Sequence, residues 1–181
     1  MKLIINGKGM TNKFVGLLII VQCAFGQQTQ DRISYSQIYG IDDNIQTIVL
    51  PTVNQEALME EDYYRESGTP YRYGFKHRVH FTPENSGTWR KTVDGGIIWQ
   101  IRFISEGAYS ISIEYEDFFI PKGGQLFIMT PDFEMVQGAY THWNNNNSRQ
   151  FSTPHLKGDT TIIEYYQPAG ILGDFSLTIT E

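Results

Sequence analysis

Residues 109–116 read Tyr109-Ser110-Ile111-Ser112-Ile113-Glu114-Tyr115-Glu116, and their alternation decides the fold class. Apolar side chains recur at every second position, with serine or glutamate between them. Successive side chains of a strand point to opposite faces, so this pattern gives one buried and one wet face. Working outward, the same period returns in Trp99-Gln100-Ile101-Arg102-Phe103 and in Phe175-Ser176-Leu177-Thr178-Ile179-Thr180. Residues 75–81, 88–93, 126–129, 135–140 and 161–166 are further strand candidates. Turn chemistry separates them at Asp94-Gly95-Gly96, Pro121-Lys122-Gly123-Gly124, residues 144–148 and Gly170. Asp94-Gly95 between two strand patterns predicts a tight hairpin. About eight short strands, with no helical pattern interleaved, predict an all-β antiparallel sandwich or jelly roll over residues 69–181. A parallel nucleotide-binding sheet is excluded.

Composition agrees. The chain has 181 residues, among them 11 Tyr, 11 Phe, 3 Trp and 17 Gly, which suits strands joined by tight turns. Lys2, Lys8 and Lys13 are the only charged residues of the first 26. Without that stretch 11 basic and 20 acidic residues remain, a net charge of −9. Phosphate backbones and anionic membrane surfaces repel such a chain, which argues against a nucleic-acid partner.

The uncharged start is itself a signal. Residues 14–25 read Phe-Val-Gly-Leu-Leu-Ile-Ile-Val-Gln-Cys-Ala-Phe behind Lys13, and small residues stand at Ala24 and Gly26. This predicts a secretory signal peptide over residues 1–26, cut between Gly26 and Gln27. The apolar run falls short of the roughly 20 residues a membrane span requires. The expectation is a secreted or periplasmic chain, in the end extracellular, with no stable span after signal removal. A lipid anchor at Cys23, the only cysteine, is the alternative, and Gln22 before it argues against one. With the cut at Gly26 the mature chain has no thiol, which excludes a cysteine nucleophile and a cysteine-ligated zinc. Residues 27–68 then read as an extended arm, with an apolar patch at 45–51 and an acidic cluster at 60–62 beside a short helix.

Few residues point to chemistry. Four histidines stand at 77, 80, 142 and 155, but no serine lies in a Gly-x-Ser-x-Gly context. His77 and His80, three apart in a strand pattern, fall on opposite faces and cannot share a metal there. Glu114 and Glu116 share a face and could serve glycoside hydrolysis or calcium binding, although charge there also simply keeps a strand face wet. Trp143 beside Asn144 and Asn145 has the make-up of a sugar-binding loop, an aromatic platform flanked by amides. No phosphate-cradling glycine loop is present, and no cofactor is expected.

A set of ordered blocks goes further. These are Tyr71-Arg72-Tyr73-Gly74, Ser86-Gly87-Thr88-Trp89, Gly95-Gly96-Ile97-Ile98-Trp99-Gln100-Ile101 and Gly107-Ala108-Tyr109-Ser110-Ile111. They continue through residues 119–127, Gln137-Gly138-Ala139-Tyr140-Thr141 and residues 158–168. Their order resembles the N-terminal β domain that precedes the catalytic domain in secreted trypsin-like serine proteases of the lysyl endopeptidase type. The resemblance implies a non-catalytic pro-domain or accessory domain, exported from Gram-negative cells. Its implied partner is the trypsin-like catalytic domain of the same precursor, which would carry the triad. It also implies that this chain is a fragment or truncated product, with no catalytic residue of its own. The alternative is a stand-alone carbohydrate-binding or adhesive module centred on Trp143.

Overall fold

The computed structural model describes residues 33–181, so the expected leader and its cut between Gly26 and Gln27 lie outside the described residues. The described chain opens with a short helix, α1 (Tyr35–Tyr39), then β1 (Thr47–Val49) and a second helix, α2 (Gln55–Tyr63). Strands follow: β2 (Thr88–Lys91), β3 (Ile97–Ile104), β4 (Ser110–Ile111), β5 (Glu114–Phe119) and β6 (Gln125–Met129). The last are β7 (Val136–Tyr140), β8 (Phe151–Ser152), β9 (Leu156–Lys157), β10 (Thr160–Gln167) and β11 (Ser176–Ile179).

The long strands β3 and β10 pair antiparallel over their whole length at the centre of a six-stranded sheet. Beyond β10 come β6 and β7. On the other side of β3, β2 pairs antiparallel with its first half and β1 pairs parallel with its second. The β2–β3 connection is the expected hairpin, closed by Thr92 N–H donating to the Gly96 carbonyl at 2.9 Å. A second sheet, in the order β11, β5, β8, covers one face of the first. Between them Trp99, Ile101 and Phe103 of β3, Ile163 and Tyr165 of β10, and Leu126 and Ile128 of β6 meet Tyr115, Phe118, Leu177 and Ile179. Each such buried side chain contributes about 1.5–3 kcal/mol. The Trp99 indole N–H donates to the Ser86 carbonyl at 2.9 Å, and Gly87 lies so close that a Cβ there would sit 2.1 Å from Nε1.

The all-β sandwich-like expectation holds, with three differences of detail. The described residues form eleven strands, because the two-residue β4, β8 and β9 are too short to show an alternation and β1 lies in the expected arm. Residues 109–116 form two strands: β4 pairs with β9, β5 pairs with β11 and β8, and the chain changes sheets at Ser112-Ile113 without losing its alternation. Residues 75–81 form no ladder. Their backbone meets the β11 end through Val79 N–H on the Thr180 carbonyl, at 2.9 Å, and a bridge from Phe81 to Ile179, while the Val79 and Phe81 side chains pack against the main core. Lys76, His77, Arg78 and His80 give this edge segment little to bury.

The other face of the six-stranded sheet is buried too, and the arm does it. Ile45 joins Phe127, Met129 and Ile162 in a second apolar cluster, while Ile48 and Leu50 pack against the main core. The Tyr35 ring stacks on Tyr166 at 3.6 Å. Beneath α1 lies Glu164, fully buried in the middle of β10. Its carboxylate accepts from Tyr35 N–H at 2.7 Å, from Ser36 N–H at 3.3 Å and from the Gln100 amide at 3.0 Å. Arg90 donates to the oxygen of that same amide at 3.2 Å, which turns its NH2 toward the carboxylate, and also binds Asp42 at 2.8 Å. Burial pushes the Glu164 carboxyl above its ordinary range, while the Ser36, Tyr35 and Gln100 hydrogen bonds pull it back. At the far end of α1, the Tyr39 hydroxyl donates to Asp94 at 2.7 Å, and Tyr166 reaches the same oxygen at 3.3 Å. Hydrogen bonds from Thr92 and Tyr39 hold the Asp94 carboxyl down to about 2.

Two outcomes follow from this docking. Glu164→Ala leaves two backbone N–H groups and one amide without their acceptor, so it should lower stability by about 3 kcal/mol in urea unfolding. Limited proteolysis of that variant should release residues 33–50 first. For Asp94 the folded carboxyl lies below its unfolded value, so its stabilisation is complete above about pH 4 and is lost as pH falls toward about 2. The difference in melting temperature between the natural chain and Asp94→Asn should therefore shrink across that window, and a constant difference would show that the clasp does not operate.

Candidate functional site

Trp143 occupies the middle of a single 3₁₀ turn, His142–Asn144, that follows β7. A reciprocal cap builds the turn. Thr141 Oγ1 accepts from Trp143 N–H at 3.4 Å, and Asn144 Oδ1 accepts from Thr141 N–H at 2.9 Å. The Trp143 side chain is left 85 % exposed, its ring centroid 4.6 Å from that of His142. Asn145 turns the other way. Its Oδ1 accepts from Ile120 N–H at 2.9 Å and its Nδ2 donates to the Ile120 carbonyl at 2.8 Å, clamping the loop to the end of β5. Asn146 is likewise engaged with Gln150 and Ser148. Side-chain amides commonly serve turns in this way. Of the sugar-binding set expected at 143–145, the ring is open, the Asn144 oxygen is taken up by the turn and the Asn145 amide by Ile120.

Glu114 and Glu116 do lie together, both exposed, on β5 beside a shallow open groove that Gln150, Ser152 and Thr180 also line. Lys76 stands 3.6 Å from Glu114 and also pairs with Glu181, whose carboxyl it holds below the ordinary range. Tyr115 and Phe151 also line that groove. His77 packs edge-on against Phe75 at 5.0 Å between ring centroids. Among the described residues no group of three or more His, Cys, Asp or Glu could hold a metal ion.

One assembly escaped the sequence reading. His155, between β8 and β9, places Nδ1 3.3 Å from Ser110 Oγ and Nε2 2.6 Å from the Tyr73 hydroxyl. A serine–imidazole contact is half of a hydrolytic triad, but here a tyrosine hydroxyl stands where a triad has a carboxylate. The contact fastens residues 71–75 to the body. Only spatial closeness could reveal it, since 45 positions separate Ser110 from His155 and 82 separate Tyr73 from it.

No protein-family model matches the chain, and no solved structure matches it. No helix among the described residues is long and apolar enough to cross a membrane.

The two sides of the Trp143 loop should respond differently to substitution. Trp143→Ala should leave the urea midpoint unchanged, whereas Asn145→Ala, which frees both polar groups of Ile120, should cost about 1–2 kcal/mol. Equal losses would place Trp143 among the residues that hold the loop.

Proposed function

We propose that this is the non-catalytic N-terminal pro-domain or accessory domain of an exported serine protease of the lysyl endopeptidase type. In this role it aids the folding of a trypsin-like domain of the same precursor, or restrains it. What supports the reading is the use to which the resembling blocks are put. Ser86 and Gly87 seat the Trp99 indole, and a Cβ at Gly124 would come 2.6 Å from the Tyr165 hydroxyl. Residues 95–101 and 158–168 take in most of the paired central strands β3 and β10. These blocks specify a scaffold. A second reading, a carbohydrate-binding module, is favoured by the bare ring of Trp143 alone.

The deciding experiment adds the purified chain in trans to a denatured trypsin-like domain of a lysyl endopeptidase and follows active enzyme recovered on dilution. The expected result is a higher active yield, or slower turnover by the native enzyme, saturating near one domain per enzyme. Neither effect, together with tryptophan quenching by a soluble glycan that Trp143→Ala abolishes, would replace this function with the carbohydrate reading.

A further inference from the structure

Within the apolar patch at 45–51, Ile45, Ile48 and Leu50 pack within the domain, leaving Val49 exposed. The next element, α2, is the opposite case. None of its nine residues is buried. Its inner side is held by polar contacts: Gln55 Nε2 donates to the Gly107 carbonyl at 3.3 Å, while Arg72 grips Glu61 at 2.6 Å and Asp62 at 3.0 Å. Its outer side carries Glu56, Met59, Glu60 and Tyr63, spaced i, i+3, i+4 and i+7, which puts them on one helix face. Met59 is 73 % exposed and Tyr63 81 %. Glu56 and Glu60 have no ion-pair partner among the described residues. A nine-residue helix is too short to persist in water on its own propensity and normally depends on packing an apolar stripe. Here Ala57 and Leu58 are half-buried on the inner side, while Met59 and Tyr63 stand exposed on the outer face beside the two glutamates.

We infer that this outer face of α2 is a docking surface for a basic partner protein, inserting Met59 and Tyr63 into an apolar groove whose rim of lysine or arginine meets Glu56 and Glu60. Charge complementarity selects that occupant. A second copy of this chain would bring another acidic surface against the same carboxylates. The chain's own arginines display the chemistry the segment accepts, for the Arg65 guanidinium lies 3.4 Å over the Tyr71 ring and Arg72 bridges two carboxylates. Tyr64, Tyr71 and Tyr73, all exposed, extend the aromatic surface beyond the helix. This inference rests on the proposed function and names the surface by which the domain would hold its trypsin-like partner.

The test compares the full natural chain with two double variants, Glu56→Lys/Glu60→Lys and Met59→Ser/Tyr63→Ser, in binding to an immobilised trypsin-like domain of a lysyl endopeptidase. Because all four substituted side chains are exposed, both variants should keep the natural circular dichroism and unfolding midpoint. The charge reversal should slow association about tenfold and flatten its dependence on salt, since rim charges act mainly on encounter. The apolar variant should speed dissociation about tenfold, since affinity changes at an interface fall mainly on that rate. Natural-strength binding by both variants would overturn the α2 surface and leave the proposed function standing. Absence of binding by the natural chain would overturn both. Self-association of the natural chain in sedimentation, abolished by either variant, would assign the face to a second copy and likewise overturn the inference.

Discussion

A buried carboxylate aimed at the start of a helix holds this molecule together. Glu164 projects from the outer face of β10, where water cannot reach it, and takes three N–H groups in compensation. Two of those are the free backbone donors that every helix leaves at its first turn. The dependence runs both ways: α1 needs an acceptor for its open end, and Glu164 needs donors for its charge. An ionised carboxylate without such partners would be expelled or neutralised. The docking of α1 places Tyr35 over Tyr166 and Tyr39 over Asp94, and it brings Ile45 and β1 onto the sheet. The six-stranded sheet is thereby covered on both faces.

That two-sided burial explains what could be read from the chain and what could not. Period-two alternation reports one dry face, so β5 and β11 were legible through Tyr115 and through Leu177 and Ile179. β3, though dry on both faces, showed it because polar Gln100 and Arg102 alternate with Trp99, Ile101 and Phe103. In β10, equally dry on both faces, the alternation fails. β10 reads Thr-Thr-Ile-Ile-Glu-Tyr-Tyr-Gln, nearly continuous apolar and aromatic residues, and its one charge marks the place where a partner for that charge must arrive. Residues 27–68 looked like an appendage because three-residue β1 carries no periodic signal, and its pairing with β3 is parallel and therefore distant in sequence. Residues 75–81 erred the other way, since alternating Phe75, His77, Val79 and Phe81 resemble a strand yet find only one neighbour at one end.

The candidate sites were legible as residues and not as geometry. Trp143 is exposed, as its place in a polar loop suggests, but asparagines can spend their amides on the chain's own turns, and sequence does not say which choice they make. Asn145 spends both on Ile120. Glu114 and Glu116 share the expected face, while Lys76, supplied from an irregular edge segment, could not be placed beside them beforehand. The Tyr73–His155–Ser110 contact joins three separate segments and belongs wholly to tertiary structure.

The bond from Tyr35 to Glu164 spans 129 positions. A ribosome adding about 5–20 residues per second makes those two residues on the order of ten seconds apart. The α1 segment therefore waits for nearly the last-made strand, holding Tyr35 and Ile45 without a complete surface to cover. Contacts this remote in the chain are also the slowest to close, because the intervening loop must be ordered before any bond rewards it. The amino-terminal segment is thus the first to emerge and the last to be secured, and until β10 is complete its apolar side chains are open to whatever chaperone or neighbouring chain is present.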